Sequence, residues 1–233
     1  MGPGWTIDEK RHAGTEHLDP EEVARFDEKM PFDPSVEIDV LREFGLSRED
    51  TVIDFGTGTG VFPLAVAKHC DRVVAVDVSE TMLNAVEEKI EDRRMRNVET
   101  VHDGFLSYDH SGGPASFAFS KDALHHLPDF WKIEALKNVG NTLEAGGIFR
   151  LRDFVFSFDP QDSRTEIESW LEEKNRSTIF TDEELYVHFR EEYSTYGFVL
   201  EALLERAGFE ILEATYEDDF YAAYICRWVD CSE

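Results

Sequence analysis

The chain has 233 residues, of which 50 are Asp or Glu and only 23 Lys or Arg, a formal charge of −27 at neutral pH. Hydrophobic residues still make up 42% and include 18 Phe, enough for one sizeable core, which excludes wholesale disorder. A surface this acidic repels phosphate backbones and anionic lipid alike, and no basic cluster offsets it locally, so neither nucleic acid nor a membrane surface is expected as a partner.

Residues 1–34 are polar, proline-punctuated and weakly periodic, and read as an N-terminal arm. It carries one short helix from about Pro20 to Lys29, capped by Asp19. Residues 35–233 read as the main domain. Its first helix is expected over Ser35 to Phe44, with Val36, Val40, Leu41 and Phe44 on the apolar face and Gly45 as the stop. The period then changes. Thr51 to Phe55 is a β-rich run that ends in Gly56-Thr57-Gly58-Thr59-Gly60 and feeds a helix from Val61 to about Cys70. A second strand, Arg72 to Val76, closes on Asp77, and Ser79 caps a helix from Glu80 to about Arg94. Further strands are expected at Val98 to His102, Ala115 to Ser120 and Ile148 to Phe154, with a helix from Pro128 to Glu144 before the last of them. Strands alternating with helices indicate parallel βαβ units.

Between Ser157 and Tyr196 the alternation lapses. Two amphipathic helices are expected there, about 163–174 and 182–193, with no strand, and the second opens on the capping box Thr181-x-x-Glu184. A helix from Gly197 to Ala207 and an antiparallel hairpin, Phe209 to Tyr216 with Phe220 to Val229, complete the chain. Three cysteines, Cys70, Cys226 and Cys231, form no C-x-x-C pair, so neither a disulfide framework nor structural zinc is expected. With no apolar leader and no run of 18 apolar residues, the expected location is cytoplasmic.

The chemistry concentrates where strands end. Closely spaced glycines at a strand-to-helix turn let the backbone bend sharply and approach a ligand, while the helix N-terminus presents unpaired N–H groups. This suits any nucleotide-like cofactor, but the dinucleotide fingerprint wants a small residue at position 61, where Val61 stands. Asp77, at the end of the neighbouring strand, can accept from two ribose hydroxyls; the same carboxylate can instead cap the following helix.

Taken together, the segments IDFGTGTG, VVAVDVSETML, HDGF, KDALHHLPDF and LEAGGIFRLRDF resemble those of class I S-adenosylmethionine-dependent methyltransferases, most of all the small-molecule, type 11 group, over about residues 35–155. The resemblance implies a Rossmann-like α/β fold: a mostly parallel seven-stranded sheet with an antiparallel C-terminal hairpin and helices on both faces, and the insertion at 157–196, which follows the fifth strand, is expected to form a helical lid over the carboxyl edge. It also implies S-adenosyl-L-methionine as cofactor and S-adenosyl-L-homocysteine as product. Gly56, Thr57, Gly58 and Gly60 would wrap the methionyl part, Asp77 would hold the ribose, and Val78 and Met82 would pack on the adenine. Asp103 would accept from the adenine amino group beside Gly104 and Phe105, and Ser120 and Lys121 would end the fourth strand against the methionyl group. Asp54, inside the strand, is expected to orient the glycine loop through backbone N–H groups.

His125 and His126 are adjacent and expected to point to different sides, so a shared metal is not expected; nor is a magnesium site built on Asp122 and Asp153. His125 is the candidate base or acceptor contact, with Tyr193 and Tyr196 as further catalytic candidates. Trp170, Phe180, Tyr186, Phe189, Tyr193 and Tyr196 either line an acceptor pocket or form the lid's own small core. The expected reaction is in-line transfer of a methyl group to a small molecule. A nicotinamide-dependent oxidoreductase and a cofactor-binding protein without turnover, or acting on a protein, stay open as alternatives. Finally, 29 Glu and 21 Asp set against 15 Arg and 8 Lys fit both a protein adapted to concentrated salt and an ordinary acidic one.

Overall fold

The first strand explains the layering. In β1 (Thr51–Phe55) Val52 points to one side of the sheet and Ile53 and Phe55 to the other, and in β2 (Arg72–Asp77) Val73 parts from Val74 and Val76 in the same way. Each strand is apolar on both faces, as a parallel sheet covered by helices requires. The computed structural model describes residues 5–14, 17–177 and 181–229, so Phe180 and Cys231 lie outside the described residues.

Along the chain follow α1 (Pro20–Lys29), α2 (Ser35–Glu43), β1, α3 (Val61–Val66), β2, α4 (Glu80–Arg93), β3 (Val98–His102), β4 (Ala115–Lys121), α5 (Asp129–Thr142), β5 (Leu143–Phe156), α6 (Ser163–Ser177), α7 (Asp182–Arg190), β6 (Thr195–Tyr196), α8 (Gly197–Ala207), β7 (Phe209–Glu217) and β8 (Tyr221–Trp228). The sheet runs β3-β2-β1-β4-β5-β8-β7; β1 to β5 pair in parallel, and β8 pairs antiparallel with both β5 and β7. This is the expected mostly parallel sheet with an antiparallel end. Among the described residues the expectation of seven strands is corrected to eight: Thr195 and Tyr196 pair in parallel with Val155 and Phe156 as β6, a two-residue strand too short to leave a periodic trace in sequence.

Helices α5 and α8 cover one face and α2 and α3 the other, where Phe62 stacks on Phe119 with ring centroids 3.8 Å apart. The reading of α2 is also corrected. Its buried residues are Glu37, Ile38 and Leu41, whereas Val36 is 57% exposed. The cause lies in β5, whose alternation places Arg150 and Arg152 on the side of Ile148, facing α2. Glu37 accepts from Arg150 Nε and Arg152 Nη1 at 2.7 Å each, and a helix face that meets two guanidiniums needs a carboxylate, not a valine.

The arm is docked. Thr59 Oγ1 donates to Asp27 on α1; Lys89 Nζ donates to Asp27 at 2.9 Å and to the Thr59 carbonyl at 2.8 Å, and Thr81 Oγ1 donates to the Leu18 carbonyl at 3.0 Å. At its far end α1 reaches the lid helix α7 through the Lys29–Glu184 ion pair. Among the described residues no helix is long and apolar enough to cross a membrane.

Candidate functional site

The carboxyl ends of β1, β2 and β4 open onto a cleft of about 1460 Å³, roofed by the arm and the lid. That exceeds the roughly 300–1,000 Å³ of a pocket for one small ligand, so it has room for a nucleoside cofactor and an acceptor together. Ligands of open α/β sheets sit at this edge.

Its floor is the turn after β1. Gly56 has φ +72°, and a Cβ there would come 2.3 Å from the Ala123 Cβ in the loop after β4, so the turn packs its bare backbone against that methyl group. Gly56→Ala is therefore expected to cost about 2–3 kcal/mol in urea denaturation, with weakened cofactor binding; an unchanged midpoint would disprove the contact. Asp77 organises the turn: its Oδ2 accepts from the Gly58 N–H and its Oδ1 from the Ser79 N–H, both at 2.8 Å. The helix cap itself is Ser79, whose Oγ accepts from the Met82 N–H at 3.1 Å, so Asp77 shapes the approach to the helix and each of its oxygens keeps a lone pair for a further donor. Burial raises its pKa, opposed by these two bonds. The expected role of Asp54 as the loop's backbone acceptor is corrected: it accepts from the Thr57 hydroxyl at 2.5 Å, and burial lifts its pKa to about 7.

Val78, Met82, Asp103, Gly104, Phe105 and Lys121 line the cleft as well. Phe105 is locked in place by stacking on Phe55, centroids 5.4 Å apart. Two expected members do not line it. Gly60 caps α3 and faces Val86, and Ser120 is fully buried, its Oγ without a hydrogen-bond partner among the described residues.

Sequence reading missed Glu9, which no motif marks. It sits on a 3₁₀ turn, Glu9–His12, with its carboxylate against Gly104, accepting from the Leu106 N–H at 3.0 Å and the Ser107 hydroxyl at 3.3 Å. Burial lifts its pKa from 4.5 to about 7. The folded chain therefore holds a proton that the unfolded chain releases near 4.5, so docking of the arm is favoured on the acid side and weakens as pH rises through about 7. Asp54 and Asp77 act with the same sign, so the arm's share is read by difference: in Glu9→Gln, protease resistance of the arm should lose its pH dependence over this window. An unchanged pH profile would refute this account of docking.

At the end of the cleft beneath the lid Asp153 accepts from the His125 backbone N–H at 3.0 Å and contacts the His125 Nδ1 at 2.5 Å. Burial opposes charge on this imidazole, but Asp153 outweighs it and brings the pKa up to about 9. The expectation that His125 and His126 diverge is corrected: in the 3₁₀ turn Leu124–His126 their rings lie 4.3 Å apart at 38°. Burial, then His125, His17 and His188, hold His126 well below its ordinary pKa. Glu192 closes the group, with its Oε2 3.4 Å from His125 Nε2 and touching His188 Nδ1. It is held there because the next residue is pinned: the Tyr193 N–H donates to the His125 carbonyl at 2.8 Å, and the buried ammonium of Lys132 donates to the Tyr193 carbonyl.

Trp170 and Tyr193 line the cleft, whereas Tyr196 packs against Phe156 and Phe158, away from it. Trp170 and Phe189 also pack on each other and on Phe220, so part of the aromatic stripe is core shared by the lid and the turn before β8; Tyr186 is 38% exposed.

The methyltransferase domain family matches residues 52–147, β1 to the middle of β5. A carboxy-S-adenosyl-L-methionine synthase of Nautilia profundicola is 24% identical over 82% of this chain and 82% of its own length. An uncharacterized methyltransferase of Geobacillus kaustophilus is 30% identical over 68% of both chains. A SAM-dependent methyltransferase of Aquifex aeolicus superposes with a TM-score of 0.64 at 21% identity, over 91% of this chain and 99% of that one. The bare glycine turn and the buried Asp77, with lone pairs to spare, fit S-adenosylmethionine, and the nicotinamide alternative falls away. The domain match, a relative 30% identical over two thirds of both chains and the shared fold lead to one family: the chain belongs to the class I S-adenosylmethionine-dependent methyltransferases.

Proposed function

We propose that the protein transfers the methyl group of S-adenosylmethionine to a small-molecule acceptor held beneath the lid. The observation that supports this reading is a single cleft that runs from Asp77 and the glycine turn to His125 and Tyr193, large enough for both reactants. The reaction is an in-line displacement: the acceptor's lone pair forms the new bond to the methyl carbon while the carbon–sulfur bond breaks and its electron pair stays on sulfur. The leaving group is already activated, so orientation and exclusion of water are the protein's main task, and these supply about 7–11 kcal/mol. In this reading Asp77 takes the ribose, Val78, Met82 and Phe105 the adenine, and Gly56, Thr57 and Gly58 the methionyl part. His125 and Tyr193 contact the acceptor, and the ring faces of Trp170 and Tyr193 suit an apolar acceptor body. Calorimetric titration with S-adenosylhomocysteine tests the cofactor half, with one site per chain expected. Incubation of labelled cofactor with a metabolite panel tests the acceptor half. Cofactor binding with label passing only to protein, or to nothing, would replace the small-molecule reading.

A further inference from the structure

The cluster at the acceptor end holds more ligating atoms than methyl transfer alone requires. His125, His126 and Glu192 can each direct one nitrogen or oxygen to a common point, those atoms all lying within 4.8 Å of one another. His188 shares the same Glu192 oxygen, and its ring lies 5.5 Å from that of His125. The cluster has the makings of a built site. Asp153 engages His125 Nδ1 and leaves Nε2 aimed into the group, the carboxylate–histidine arrangement that orients metal-ligating imidazoles. Glu192 is fixed from below by the two hydrogen bonds on Tyr193. Two ligands on a tetrahedral ion with bonds of about 2.0–2.2 Å stand about 3.3–3.6 Å apart. His125 Nε2 and Glu192 Oε2, at 3.4 Å, already have that spacing, and the other pairs, within 4.8 Å, need to close by at most about 1.5 Å.

We propose that His125, His126 and Glu192, flanked by His188, bind one divalent first-row transition ion in the acceptor half of the cleft, leaving a coordination position for an oxygen or nitrogen of the acceptor. Imidazole with a single carboxylate suits zinc, cobalt or nickel and disfavours magnesium and calcium, which take oxygen sets. Because all four residues line the cleft, an acceptor bound to the ion lies in the same chamber as the cofactor. The methyl-transfer reading gives the ion its use; its binding does not depend on that reading.

The test uses the full-length, untagged chain, stripped with chelator and titrated with Co²⁺ while visible absorption is followed. S-adenosylhomocysteine calorimetry is run on the same samples. One equivalent of cobalt should produce the intense bands of a four- or five-coordinate ion, and Zn²⁺ should abolish them. His126→Gln and Glu192→Gln should each weaken cobalt binding at least about tenfold, and Asp153→Asn by about 10–100-fold. Circular dichroism confirms folding, and the two direct substitutions serve if Asp153→Asn does not fold. Only the weak bands of cobalt on surface carboxylates, or strong bands that survive both His126→Gln and Glu192→Gln, would overturn the ion site. Cofactor binding without cobalt binding rejects the ion alone; cobalt binding without cofactor binding rejects the methyl-transfer reading alone.

Discussion

Replacing Asp77 by Ala is expected to weaken S-adenosylhomocysteine binding by at least about 100-fold, close to 3 kcal/mol. Two effects add. The proposed ribose contacts go, and hydrogen bonds to a charged acceptor contribute about 1.5–3 kcal/mol each. The Gly58 and Ser79 N–H groups also lose their acceptor, so the turn that faces the cofactor loses its shape. Asp77→Asn should fall between the two, because its amide keeps one acceptor oxygen but turns an N–H₂ toward a backbone N–H. Isothermal calorimetry measures both, and a loss of less than about fivefold for the alanine variant would remove Asp77 from the cofactor site.

The second large effect concerns stability. Glu37→Ala should lower the unfolding free energy by about 3–5 kcal/mol, read from urea denaturation, because it strands two guanidiniums against the sheet. Glu37 is fully buried, and Arg150 is 9% exposed. Arg152 keeps Glu217 at 3.2 Å as a second partner, so Arg150 is left worse off. A loss under about 1 kcal/mol would mean that water reaches both arginines once the carboxylate is gone. Glu37→Gln, which keeps an acceptor without the charge, should cost less.

These two carboxylates mark what sequence discloses. Asp77 was legible because the features that identify it are local: a strand ends, a glycine turn precedes it, a serine-capped helix follows. Glu37 was not, because its partners lie more than a hundred positions away on β5 and become neighbours only through the sheet order. Helical periodicity therefore chose Val36 for the buried face. The same limit hid Glu9, whose acceptor role depends on how the arm crosses Gly104. The tight pairing of His125 with His126 arises from a three-residue turn whose side-chain directions adjacency does not reveal. The alternation of strands and helices, the antiparallel end of the sheet and the glycine turn after β1 were legible, since alternating periods and end-of-strand glycines record them directly.

The ten residues of α1 are tied to the glycine turn and α4 through Asp27, and to the lid through Lys29. One short rod thus braces the glycine turn at one end and the lid at the other, so a change at Asp27 or Lys29 is felt at both ends of the chamber.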